Sequence, residues 1–144
     1  MYSMIANSSD LARGIDLFNR AHFYDAHEVL EEVWRPLPRG RPVRRHLQGL
    51  VQLAVAFHHE SRDNFIGARS VLDRACRNLT GAEDSFPQFD FARLRAELAD
   101  WQQHLDGTCS PGTCSRGKSS RPTLPCIALR ERASGRSPAK ISKK

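Results

Sequence analysis

The sequence predicts an all-α fold: a compact bundle of about five helices, made of two helical hairpins and a closing C-terminal helix. Three observations carry this. Apolar residues recur at three- and four-residue spacing from Leu11 to Leu105, and no stretch alternates as a strand would. Proline, glycine and Asp-Asn breaks cut that pattern into five segments. One segment also repeats. Phe23-x-x-Ala26-x-x-Val29-Leu30-Glu31 returns 42 residues later as Phe65-x-x-Ala68-x-x-Val71-Leu72-Asp73, an offset that suits a helical hairpin.

The elements follow in order. Ser8 or Ser9 can cap a first helix, with Asp10 favourably placed in its first turn. Its stripe is Leu11, Ile15 and Phe18, and it ends near Ala21-His22. A second helix spans about Phe23 to Arg35, with Phe23, Ala26, Val29, Leu30, Val33 and Trp34 as its apolar face. Pro36, Pro38, Gly40 and Pro42 mark a loop. A third helix runs from Pro42 or Val43 to about Arg62; proline is acceptable at the first position because its missing N–H would be unpaired there anyway. Leu47, Leu50, Val51, Leu53, Ala54, Val55 and Phe57 cover more than half of its wheel, which makes it the central helix. Asp63-Asn64 breaks the pattern. A fourth helix covers about Phe65 to Leu79 and closes at Thr80-Gly81. A fifth covers about Asp90 to Leu105, with Phe91, Leu94, Leu98, Trp101 and Leu105 inward. The repeated aromatic-x-x-Ala turn resembles a tetratricopeptide hairpin, in which the aromatic fills the angle between paired helices and alanine lets them approach. Two hairpins are too few for a long solenoid groove.

At 144 residues and 40% hydrophobic content, the chain has room for one domain with a modest core. Its net charge of +6 is unevenly placed. Through Asp106, 13 arginines and no lysine face 15 acidic residues, a net of −2; from Gly107 on, nine basic residues face Glu131 alone, a net of +8. The expected organisation is a helical domain over 8–106 and a basic, disordered tail over 107–144. The tail is too polar to offset its ordering entropy by burial. It is either a separate basic arm or a stretch under weak selection, even a frameshifted one. Nucleic-acid contact, if any, would run through it alone. No apolar run approaches the roughly 20 residues that span a bilayer. Residues 1–6 carry no basic, apolar leader, so a cytoplasmic location without membrane contact is expected. Cys76 reads as a small buried hydrophobe, and a thiol on a packed helix face has no reason to ionise as a nucleophile. Cys109, Cys114 and Cys126 fall in the tail at a spacing that matches no strong zinc pattern.

The sharpest polar cluster is His27-Glu28-Val29-Leu30-Glu31-Glu32-Val33-Trp34. His27 and Glu31, one helical turn apart, share the border of the apolar arc. Glu28 and Glu32 point further outward. On the third helix Gln48, Gln52 and His59 form one edge, whereas His58 projects from the middle of the apolar face beside Leu47 and Val51. Two readings follow. In the structural one, His27–Glu31 is a helix-stabilising pair. In the functional one, His27, Glu31 and His58 converge, either to hold a divalent metal with an open position or to move a proton. The zincin motif is excluded, because Glu31 stands where its second histidine would be. Arg39, Arg41, Arg44 and Arg45 crowd the start of the third helix. Positive charge there opposes the helix dipole, and the cluster is either a solvated loop or a patch for an anion or acidic partner.

The segments 18–35 and 47–58, followed by Asn64-Phe65-x-Gly67-Ala68, resemble domain-of-unknown-function family 309. The resemblance runs over about residues 10 to 105. It rests on His27, Glu28, Glu31 and Trp34 in one motif and on Gln48, Gly49, Gln52 and His58 in another. It implies a cytoplasmic helical protein with no established activity. Ala21 departs from the pattern, which commonly has glycine at that hairpin turn.

These readings lead to a polar cleft between the second and third helices, lined by Glu28, Trp34, Gln48, Gln52 and His59 around His27, Glu31 and His58. The leading expectation is a binding module for a partner peptide or protein. The rival is a metal-assisted or acid–base enzyme at the histidine–glutamate cluster.

Overall fold

The computed structural model describes residues 8–109 and 121–130. Among them are five α-helices: α1 (Ser9–Asn19), α2 (Phe23–Trp34), α3 (Pro42–Ser61), α4 (Phe65–Asn78) and α5 (Phe91–Cys109), with a 3-10 turn over Ala82–Asp84 before the last. No strand occurs among the described residues, and each helix packs on its neighbour in the chain.

The ends are set by local chemistry. Ser8 caps α1, its Oγ accepting from the Leu11 N–H at 3.0 Å. Asn64 caps α4 by accepting from Gly67 N–H at 3.0 Å, and Asp90 does the same at the start of α5 from Arg93 N–H at 3.0 Å. Pro42 occupies the first turn of α3.

The sequence repeat is a repeat of backbone geometry. In the α1–α2 turn, Ala21 N–H donates to Phe18 O and His22 N–H to Leu17 O, both at 2.9 Å. In the α3–α4 turn, Asp63 N–H donates to Glu60 O at 3.0 Å and Asn64 N–H to His59 O at 2.9 Å. The two patterns superpose at the 42-residue offset. The alanines that follow, Ala26 and Ala68, are sealed between helices, as are Leu30 and Leu72.

α3 is the central helix, packed on both α2 and α4. Its buried face includes Leu47, Leu50, Leu53, Ala54 and Phe57. Phe57 meets Phe18, Phe23 and Trp101 at ring-centroid distances of 6.2, 5.7 and 5.1 Å, which joins both hairpins to α5. Arg95 of α5 fixes the 3-10 turn with two 2.7 Å bonds to Glu83, whose carboxyl is held down at about 2 chiefly by that guanidinium.

α5 runs to Cys109. One expectation about the C-terminal part needs correction. Residues 121–130 are not an unstructured tail but lie against the body: Ile127 is 3% exposed, and Phe89 and Leu129 form an antiparallel bridge. The apolar run Leu124–Leu129 supplies the burial that the average composition of the tail concealed. The remainder, 110–120 and 131–144, lies outside the described residues, and with it Cys114 and most of the basic charge assigned to nucleic-acid contact.

Candidate functional site

His27 and Glu31 form the pair that their spacing implies, with Nε2 and Oε1 3.1 Å apart on the surface of α2. The pair continues one turn further, where Arg35 reaches Glu31 at 3.4 Å. This is an i, i+4, i+8 ladder, the arrangement of the structural reading. His58 does not join it. Its ring faces Tyr24 at 5.5 Å, and Tyr24 in turn faces His27 at 5.8 Å, so a phenol contacts both imidazoles. Among the described residues, no group of three or more His, Cys, Asp or Glu side chains is arranged to hold a metal ion. His27, Glu31 and His58 do not form such a group among the described residues.

The position of His58 also differs from expectation. Val51, Val55 and His58 share one stripe, and all three are only half-buried, so this stripe is the border of α3 rather than its centre. Burial first, and then the charges of Arg62, His59 and His27, push the His58 pKa below its ordinary 6.5.

The cleft-lining residues divide between two faces rather than meeting between α2 and α3. Glu28 and Glu31 line a groove of about 360 Å³ against α1, with Asp10, Arg13 and Arg35. Gln48, Gln52 and His59 face α4 or the turn before it. Gln52 accepts from Asn78 Nδ2 at 2.8 Å, and His59 Nδ1 lies 3.2 Å from Asn64 Nδ2. The cause is the hairpin topology: the pairing of α3 with α4 takes up the amide edge that sequence reasoning had turned toward α2.

Trp34 sits beneath Arg44, whose guanidinium carbon lies 4.0 Å from the ring centroid. Arg44 also donates to Leu37 O at 2.5 Å, which ties the α2–α3 loop to α3. Arg45 spans to the C-terminal end of α4 and donates to Thr80 O at 3.3 Å, where a cation offsets the negative end of the dipole. With Arg39, Arg41, Gln48 and Asn78, these arginines line a groove of about 440 Å³ that has no carboxylate in its wall among the described residues.

Sequence reasoning missed two buried polar residues. His46 is 2% exposed, with Nδ1 2.6 Å from Ser85 Oγ and Nε2 3.1 Å from Thr80 O. The carbonyl can only accept, so its 3.1 Å contact assigns the proton to Nε2 over the longer 3.4 Å approach of Arg45 Nη2, and Ser85 donates to Nδ1. Burial, then the neighbouring Arg45 charge, holds its pKa below the usual 6.5. Glu60, 5% exposed, receives Arg121 through two bonds of 2.9 Å. Both residues follow apolar ones at helical spacing, His46 after Val43 and Glu60 after Phe57, and that was the available signal. Cys76 is partly buried against the core, and desolvation pushes its thiol up to about 11, which leaves it inert as a nucleophile.

Compared with known proteins, the stretch that builds both hairpin turns and the His27–Glu31 ladder has a counterpart. Residues 11–71 match DUF309, a domain of unknown function. The DUF309 match stops at Val71, within α4, short of the residue 105 that the resemblance suggested. An uncharacterised protein of Aquifex aeolicus (strain VF5) is 30% identical over 83 residues, which make up 58% of this chain and 25% of that protein. The uncharacterised protein YpuF of Bacillus subtilis (strain 168) is 37% identical over 57 residues, 40% of this chain and 32% of that protein. The matched region thus spans a quarter and about a third of these two relatives. No helix among the described residues is long and apolar enough to cross a membrane.

Proposed function

We propose that this chain is a small interaction module that takes an acidic segment of a partner protein at the start of α3. One observation carries the reading: Arg39, Arg44 and Arg45, with Arg41 beside them, line a groove whose wall, among the described residues, contains no carboxylate. Arg44 and Arg45 are held in place by Trp34 and by the end of α4, so their charge is displayed on an ordered frame. A fixed cationic groove favours an anionic ligand with little ordering cost. The enzyme reading has less behind it, because His27 and Glu31 bond to one another and His58 stands apart across Tyr24. A cytoplasmic setting fits the free thiols Cys76 and Cys126.

The test is titration of a fluorescein-labelled hexaglutamate peptide into the full chain and into an Arg39→Glu/Arg41→Glu variant, both sites being exposed. Saturable binding that weakens with salt and falls roughly ten-fold or more in the variant, at unchanged melting temperature, is the expected result. Equal affinities, or no binding by the wild type, would sink the reading.

A further inference from the structure

Residues 121–130 bind the body as an extended peptide binds a receptor. Among the described residues, the backbone hydrogen bonds of this segment all go to the body. Asn19 grips Ile127 with both ends of its carboxamide: Oδ1 accepts from Ile127 N–H at 2.8 Å, and Nδ2 donates to Ile127 O at 3.1 Å. Trp101 Nε1 donates to Thr123 O at 3.0 Å, and Glu97 accepts from Cys126 N–H at 3.1 Å. At the far end, Asp90 N–H donates to Ala128 O at 2.9 Å, and Gln88 O accepts from Arg130 N–H at 2.7 Å. Contacts to backbone atoms hold an extended chain whatever its side chains are.

Two side chains are read in addition. Ile127 enters the core at 3% exposure. Six residues earlier, Arg121 forms its two-bonded pair with Glu60 and lies 5.3 Å from the Trp101 ring centroid. Glu60 is a carboxylate built into the core, 6% exposed at its side chain, while its arginine is 53% exposed. A buried anion is costly without its cation, so the body presents a preset demand for a guanidinium.

We propose that the face formed by α1, the end of α3 and α5 is a binding site for an extended partner peptide with an arginine followed six residues later by a branched aliphatic residue. Residues 121–130 occupy that site in cis and hold it closed. The site is separate from the arginine groove: Arg45 and Glu60 are 15 residues apart on α3, about 22 Å at 1.5 Å per residue. The ligand charge it favours is also the opposite one. The segment is covalently part of the chain it binds, so in cis it competes as an intramolecular ligand.

The experiment uses the full chain and a fluorescein-labelled decapeptide, Arg-Pro-Thr-Leu-Pro-Ser-Ile-Ala-Leu-Arg, which copies residues 121–130 with serine for cysteine. Fluorescence anisotropy compares the wild type with Ile127→Asp, which weakens the cis occupant. Binding to the variant should be at least about ten-fold tighter than to the wild type, and it should drop about ten-fold when the peptide isoleucine is replaced by aspartate. Arg121→Ala provides a second way to open the site should Ile127→Asp lose its helical circular dichroism. If both variants keep their helices and neither binds the peptide, the proposal fails. If both lose their helices, the segment is an integral part of the fold and the proposal fails equally. A wild-type dimer that the peptide dissociates would make a second copy the occupant and overturn the peptide partner.

Discussion

Ala21 and Asp63 occupy the same place in the two hairpins, both in the left-handed backbone region, with φ of 68° and 62°. Each follows the end of a helix and lets the chain reverse so that the next helix can begin with a phenylalanine, Phe23 or Phe65. Aspartate tolerates this conformation better than alanine, whose Cβ crowds the backbone there.

Ala21→Gly should therefore stabilise the protein. Relief of the left-handed strain, about 1–2 kcal/mol, outweighs the entropy cost of a glycine, about 0.5–1 kcal/mol. The net expectation is a gain of about 0.5–1 kcal/mol, seen as a higher urea midpoint at unchanged slope. A lower midpoint would mean that the methyl group of Ala21 contributes packing that outweighs its strain.

Gly49 is required for a different reason. A Cβ at that position would lie 2.8 Å from Leu79 Cγ and 3.2 Å from the Ala75 carbonyl oxygen. Gly49→Ala forces α3 and α4 apart and should cost about 1–3 kcal/mol, despite the better helix propensity of alanine. Thermal melts of the two proteins decide the matter; a more stable variant would show that α4 shifts freely.

Stability should also fall on mild acidification, in part through His46. Its folded pKa lies below the ordinary 6.5, so its contribution is complete above about pH 6.5 and is lost as pH falls toward the depressed folded value. The unfolded chain takes up the proton first. Urea midpoints between about pH 7.5 and pH 5 should drop more steeply in the wild type than in His46→Gln. Part of the slope should survive, because the His58 pKa is displaced in the same direction. Parallel curves for the two proteins would remove His46 as the cause.

The helices were legible because their signals are local. Apolar spacing, Ser8 and Asp90 at helix starts, the Asp63-Asn64 break, and Gly81 with φ of 82° after α4 act within a few residues of where they stand. The repeat added the hairpin pairing, since an aromatic and an alanine at a fixed offset imply the same turn twice. The His27–Glu31 pair was legible for the same reason, because positions four apart on a helix must be neighbours.

What the sequence alone determined, then, is five helices, their order, most of their inward apolar residues and the contacts within a single turn. Tertiary structure decided which helix each polar border faces. It turned Gln52 to Asn78, set Tyr24 against both His27 and His58, and brought Arg121 to Glu60 and Asn19 to Ile127. Those last two pairs join residues 61 and 108 positions apart. No periodicity extends that far, and a segment such as 121–130 has no regular structure of its own to announce its place. It is ordered by the surface it meets, and that surface exists only once the helices have packed.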